Sequence, residues 1–495
     1  MSRSVVVDPV SRIEGHLKVH LDIDGGRVVG ARSSGEMFRG FENLLVGRDP
    51  MDAQFITQRI CGVCPISHGV AASIAQEQAY GASPTPNGRV LRNLLLATNT
   101  IQSHVVHFYQ LAALDFVDVT ALLEYRGDDP DTVALANWAR DEMRSGAPHP
   151  VAPLLPRMEG TYLDGVTANV RALQNYAAAL EMRRTLHEMI ALFAGKMPHA
   201  NGIVPTGITG GVDVRRLAAY ESRLRRVSDF LEHAFAVDLV ALGGAFDEYF
   251  DLGRTPDDLL AYGGYDLGDG SRLFPRGVVI DGRARSFDDG LITEDNAHSY
   301  LDGTSGVHPT SGTTLPHEHK SGAYSWIKAP RYDRRPVEVG PAARLKIAGH
   351  VAPDHAVVQH AERVLRPLGR GLDDVNSAMG RHVARFVECR VLVDAARGWL
   401  EELDLGAPTT RHFEVCDAGR GVGLVEAPRG ALGHWLSIRD KKIEGYQCVV
   451  PTTWNCSPAD DDGVVGPVEA SLRGVTVADA DHPIEIGRAS CRERV

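Results

Sequence analysis

Cys61 and Cys64 carry the strongest chemical signal in the chain, in the run Arg59-Ile60-Cys61-Gly62-Val63-Cys64-Pro65-Ile66-Ser67-His68. Two thiols three positions apart can face one metal ion, and Gly62 leaves room for the turn between them. Cation and imidazole neighbours favour thiolates over thiols. A zinc ribbon would need a second pair at suitable spacing, and the sequence has none. A thioredoxin-like redox pair would need a βαβ setting that the flanking residues do not provide. Taken alone, the pair reads as metal-binding or redox-active. The other cysteines, Cys389, Cys416, Cys448, Cys456 and Cys491, are scattered, and their default is the small buried thiol.

The elements that must position such a pair belong to a large soluble protein. At 495 residues, with 43% hydrophobic and 23% charged side chains, the chain can bury a core big enough to hide a reactive centre from water. Seven cysteines in that length rule out a disulfide scaffold. A net charge of −12 argues against a nucleic-acid surface, which would need a basic stripe. No run of 18 or more apolar residues signals a membrane span. The opening Val5-Val6-Val7 is too short for a secretory signal, so export would need another carrier.

Residues 1–49 read as a β-rich lobe, because Leu17, Val19, Leu21 and Ile23 alternate with polar residues before a turn at Asp24-Gly25-Gly26. Residues 50–242 read as a helical core, with three-and-four spacing over Ala71–Tyr80, Val90–Leu123, Tyr176–Phe193 and Val214–Leu242. Residues 243–341 are rich in Gly, Asp and Pro, as in a loop-and-strand insertion. Helix returns in 342–403, chiefly over His355–Leu403, and 404–488 form a second β-rich lobe. The expected class is therefore α+β, a mainly helical core with small β-rich lobes at both ends.

Other segments fall in a set order along the chain. They include Arg12-Ile13-Glu14-Gly15-His16, the run from Arg39-Gly40-Phe41-Glu42 to Gly47-Arg48-Asp49-Pro50, and His107-Phe108-Tyr109. Further on come Tyr324-Ser325-Trp326, Val339-Gly340-Pro341, Glu426-Ala427-Pro428-Arg429-Gly430 and Val450-Pro451-Thr452-Thr453-Trp454-Asn455. With the cysteine motif, this ordered set resembles the large subunits of [NiFe]-hydrogenases over nearly the whole chain. The fold implied is that of these subunits and of the related 49-kDa subunit of complex I.

The resemblance implies a nickel held by four thiolates, two of which bridge to an iron bearing CO and cyanide; soft thiolates suit such a metal. It makes Cys61 a terminal nickel ligand and Cys64 a bridging one. His68 becomes a hydrogen-bond donor to the bridging sulfur, where a satisfied core histidine is the plainer reading. Glu14 becomes the carboxylate that carries protons outward; from spacing alone it would be a surface partner of Arg12 or Lys18. Glu42 becomes a magnesium ligand together with the backbone carbonyl of Cys448, against a solvated ion pair with Arg39. Arg429 becomes a fixed cation over the open side of the metal pair, against a plain Pro-Arg-Gly turn. Pro428, Pro451 and Thr452 would line the diatomic ligands.

Two departures from the family pattern stand out. Ser103 occupies the position where many relatives carry an Asp before the first of two histidines, His104 and His107. The family also ends in D-P-C-x-x-C-x-x-H, whereas the residues after Arg488 hold one cysteine, Cys491, and no terminal His. The chain is thus expected to stop short of the native end, with 489–495 a non-native tail; Glu485–Val495 reads like a translated sequencing adapter. As written, it is expected to be inactive for want of the second cysteine pair.

The implied activity is reversible heterolytic oxidation of H2 to protons and electrons, with a terminal thiolate or Arg429 accepting the proton. No cysteine set for an iron–sulfur cluster is present, so electrons would leave through an iron–sulfur small subunit. Maturation proteins and a membrane cytochrome b are the other implied partners. The implied location is the periplasmic side of a membrane, reached with the small subunit, with the cytoplasm as the alternative. A complex I-like scaffold that lost the metal would explain the fold but predicts lost cysteines. A zinc protein built on Cys61, Cys64 and His68 lacks a fourth ligand.

Overall fold

Leu17, Val19, Leu21 and Ile23 point to one face of the strand Leu17–Asp24, and their burial is what makes the first sheet fold. That sheet is an antiparallel meander of Arg3–Val7, Leu17–Asp24 and Arg27–Gly35. Gly25 and Gly26 both have positive φ, at 56° and 75°, as a two-residue hairpin turn of this hand requires. The buried face packs on Cys456, Val468 and Leu472, the last two from the helix Pro467–Leu472, so distant parts of the sequence share one small core. The chain is described here by a computed structural model, which covers residues 3–13, 15–146, 161–477 and 486–487.

With 48% helix and 19% strand, the body is α+β, as the sequence implies. Its centre is a stack of long helices, Pro65–Tyr80, Pro86–Val106, Val166–Ala194, Val214–Phe230 and Ala378–Glu402. Apolar side chains such as Leu94, Leu186, Leu224, Phe235 and Leu392 interlock there without exposure. The helix Pro65–Tyr80 starts with proline at its first position and stops at Gly81, whose φ of 68° no β-carbon strains.

Three helical stretches differ in detail from the periodicity reading. The segment read as helix over Val90–Leu123 is helical to Val106, then takes a wide π turn, His107–Ala112, and shorter 3₁₀ turns. A similar π turn, Leu231–Phe235, interrupts Val214–Leu242. Between Ala356–Leu365 and Ala378–Glu402 the helix breaks where Pro367 and Gly369, at φ 68°, cannot continue it. Apolar spacing does not distinguish these turns from α-helix, because each keeps the buried face facing inward.

A second antiparallel meander, Ala418–Ala427, Gly430–Arg439 and Lys442–Val449, lies across the helix Pro65–Tyr80. Glycine sets how close. Gly419, Gly421 and Gly423 alternate onto one strand face and meet Ala79, Ala75 and Ala71, one helical turn apart. A β-carbon at Gly421 or Gly423 would sit 1.8 or 1.9 Å from the carbonyl oxygen of Ala75 or Ala71. The insertion adds a four-stranded sheet in the order Arg283–Arg285, Gly277–Ile280, Leu259–Ala261, Glu338–Val339.

Candidate metal centre

Cys64 is the N-cap of the helix Pro65–Tyr80 and Cys61 closes the 3₁₀ turn before it, so the pair stands at a helix N-terminus where amide N–H groups favour negative charge. The two sulfurs lie 2.6 Å apart, and the Cys64 N–H donates to Cys61 Sγ at 3.2 Å. The hydrogen bond from Cys64 is the largest of the influences that hold the Cys61 thiol well below its ordinary range; burial opposes it and the Arg429 charge assists. The loop between the cysteines is clamped from outside. Asn99 donates to the Val63 carbonyl at 2.7 Å, and Arg39 donates to the carbonyls of Arg59 and Ile60 just upstream.

The short glycine-on-alanine contact brings the end of the strand Ala418–Ala427 over these sulfurs. There the two-residue turn Pro428-Arg429 joins paired Ala427 and Gly430. Arg429 is buried, at 7% exposure; its Nη1 donates to Ser103 Oγ at 3.3 Å, and Nε and Nη2 have no partner among the described residues. The same turn is held from behind by Arg344, which also bonds Glu388 and Glu426. His104 bonds Glu388 at 2.9 Å. Burial alone would raise the Glu388 carboxyl, but Arg344 and His104 hold it down at about 2.

Cys61, Cys64, His68, Arg429, Pro451 and Thr452 line one cavity of about 400 Å³, closed on a further side by Gly15, His16 and Leu17 of the first lobe. Pro428 is buried beside it, with its carbonyl turned to Arg344. Glu14 and Cys491 lie outside the described residues. The cations weighed as partners of Glu14 are engaged: Arg12 with Asp115, and Lys18 with Asp8 and Glu36 at 3.3 and 3.2 Å. Glu42 stands apart from the cavity residues. Its carboxylate accepts the Cys448 N–H at 2.8 Å and the Thr314 hydroxyl, while Arg39 lies over the Phe41 ring rather than pairing with it. Lys328, bonded to Glu294 and Gln447, completes this second cluster.

Sequence reasoning did not find His434 and Tyr446. His68 Nδ1 lies 3.1 Å from His434 Nε2, and His434 Nδ1 lies 2.8 Å from the Tyr446 hydroxyl. Burial drives the His68 pKa down to about 3, with the Arg39 charge adding to it, and burial also drives His434 well below its usual value. Burial thus favours the neutral form of both rings. Nothing in the local sequence marks these two residues, since the partners lie 366 positions apart.

A thiol pair at a helix N-terminus, a cavity walled on several sides and a buried guanidinium with spare donors together suit a soft, anionic group. Comparison with known proteins gives the class. Residues 39–490 match the family described as nickel-dependent hydrogenase, and residues 4–34 match one described as HoxL-like. The periplasmic [NiFeSe] hydrogenase large subunit of Desulfomicrobium baculatum is 40% identical over 98% of this chain and 92% of its own. The hydrogenase-1 large chain of Citrobacter freundii is 34% identical over the same shares. A crystal structure of the Dm. baculatum [NiFeSe]-hydrogenase superposes with a TM-score of 0.89 at 38% identity, over 100% of this chain and 98% of that one. The chain belongs to the nickel-dependent hydrogenase family, as a large subunit, and is an oxidoreductase of that kind.

Proposed function

We propose that this chain holds a nickel–iron centre in the cavity between Cys61, Cys64 and Arg429, and that its reaction is the reversible oxidation of H2. The observation that carries the reading is the thiol pair set opposite a buried arginine whose Nε and Nη2 have no described partner. An anionic group bound by thiolates fits that donor set, because its charge would answer a buried cation. Cys61 would be a terminal nickel ligand and Cys64 would bridge nickel to an iron carrying CO and cyanide. The family's second thiolate pair is not supplied by the sequence given, whose one cysteine outside the described residues is Cys491. When bound, the centre would supply the heterolytic splitting of H2, which yields two protons and two electrons in all.

The chain's own residues orient and exclude. Arg429, locked by Arg344, keeps a fixed positive charge over the open face. A terminal thiolate such as Cys61 accepts the proton, beside the fixed charge of Arg429, and Glu14 passes it outward. His68 donates to the bridging sulfur, while Pro428, Pro451 and Thr452 frame the diatomic ligands. Glu42 and the Cys448 carbonyl hold a magnesium ion; with Glu42, Glu294 and Lys328 the cluster carries one net negative charge, which suits a cation. Electrons leave to an iron–sulfur small subunit, with maturation proteins loading the metals and a membrane cytochrome b receiving the electrons. The relatives named as periplasmic and as quinone-reactive support a place on the periplasmic side of a membrane.

The test is nickel and iron content with H2-driven dye reduction, measured with the small subunit and maturation system present. The chain as written is compared with one extended by D-P-C-x-x-C-x-x-H. About one nickel per extended chain, lost in Cys61→Ser, is the expected result. No nickel in either chain would overturn the reading in favour of a metal-free scaffold.

A further inference from the structure

The row from the cavity inward, His68, His434 and Tyr446, is set by the sheet. His434 pairs with Cys448 across two strands, so Tyr446, two residues earlier on the neighbouring strand, shares its face. That face packs on the helix that carries His68 one turn beyond Cys64. All three side chains are buried, at 3%, 0% and 2% exposure.

A neutral imidazole carries one N–H, so each contact in the row needs one donor and one acceptor. The Tyr446 hydroxyl has one proton and, among the described residues, one partner, His434 Nδ1. Were His434 Nδ1 to donate instead, the phenol proton would be buried with no acceptor, the costlier arrangement. The phenol therefore donates to Nδ1, which leaves the His434 proton on Nε2. His434 then donates to His68 Nδ1, and the His68 proton is left on Nε2. No described residue bonds His68 Nε2, and His68 lines the cavity that holds both cysteines.

We propose that Tyr446, acting through His434, fixes His68 in the tautomer with its proton on Nε2, turned to the cavity that holds Cys61 and Cys64. Tyr446 and His434 are positioning residues, and they act on a hydrogen-bond donor that the metal-site sulfur can use. The proposal deepens the reading of His68 as donor to the bridging sulfur, and rests on that reading only for its effect on the centre.

The test is ¹⁵N solid-state NMR of the full chain with labelled histidine, the His68 signals being those lost in His68→Gln. The parent protein is expected to show His68 with Nε2 protonated and Nδ1 bare. Tyr446→Phe removes the donor at the head of the row, and His68 is expected to lose that single state and divide between both tautomers. His434→Gln provides the second variant, because an amide accepts from Tyr446 and donates to His68; the Nε2–H form is expected to persist there. His68 protonated on Nδ1 in the parent, or a single unchanged Nε2–H signal in Tyr446→Phe, would overturn the proposal. Infrared bands of the diatomic ligands in the loaded heterodimer separate the two readings. Bands that stay fixed while the tautomer changes uphold the row and overturn the role of His68 at the sulfur.

Discussion

Arg344 donates to the carbonyl oxygens of Ala427 and Pro428, at 3.1 and 3.2 Å, so one buried arginine holds the turn that aims another. The same guanidinium bridges Glu388 and Glu426, both fully buried by the surrounding helices and sheet. Arg429 is thus placed beside the cysteines by a turn that Arg344 holds, and its own Nη1 bonds Ser103.

Removing Arg344 leaves two buried carboxylates uncompensated. Arg344→Ala is expected to cost on the order of 3–5 kcal/mol in denaturant unfolding. Arg344→Lys keeps the charge but loses the fork, and is expected to fall between Arg344→Ala and the parent.

Ser103→Asp would place a carboxylate where Ser103 Oγ now takes Arg429 Nη1 at 3.3 Å. The metal-free chain is expected to gain about 1.5–3 kcal/mol, the worth of a hydrogen bond to a charged group. Chemical denaturation of the two metal-free proteins checks it, and a loss of stability would show that the site cannot take the extra charge.

The spacing of the cysteine helix and the Arg429 strand is fixed by missing side chains. Gly423→Ala would drive a β-carbon into the Ala71 carbonyl, and is expected to cost at least about 1–3 kcal/mol and to lower nickel content. Gly398→Ala, with open space around it inside a helix, is the control and is expected to stabilise by up to ~1 kcal/mol.

Glu469 is buried and its carboxyl is raised to about 7, chiefly by burial, against hydrogen bonds from the Ser33 N–H and the Tyr324 hydroxyl. A carboxyl raised in the fold contributes stability that is fully present below its unfolded pKa, near 4.5, and lost as pH rises through about 7. The unfolding free energy of Glu469→Gln, relative to that of the parent, is therefore expected to rise from pH 5 to pH 8 toward a limit of roughly 3 kcal/mol, read from denaturant unfolding at each pH. A constant difference across that range would contradict it.

The local pattern was readable where neighbours in sequence are neighbours in space. Alternation at Leu17–Ile23 marks a strand, and the Cys61–Cys64 spacing brings two sulfurs together, because each is a property of a few adjacent residues. The Ser103 substitution was also visible, and the structure sets it against Arg429. Residues whose roles depend on long-range pairing were not. Arg344 looks like any helical arginine until Glu388, Glu426 and the Pro428 carbonyl are seen around it. His434 and Tyr446 sit in an alternating strand pattern that predicts packing and nothing more. The π turns at His107 and Leu231 escaped because they widen a helix without changing which face is apolar.

The first sheet finds its cover in Cys456, Val468 and Leu472, and Gly15, His16 and Leu17 form one wall of the cavity that holds Cys61 and Cys64. During synthesis the covering residues leave the ribosome late, roughly 450 residues and on the order of half a minute after Leu17 at ordinary translation rates. Until then the sheet lacks that cover, although Asp115, Ser325 and Trp326 already hold its edge and flank. The fold therefore has an order of events: the helix that carries Cys64 comes first, and the chamber beside it is complete only once Ala427 to Thr452 and the cover from Cys456 to Leu472 have followed.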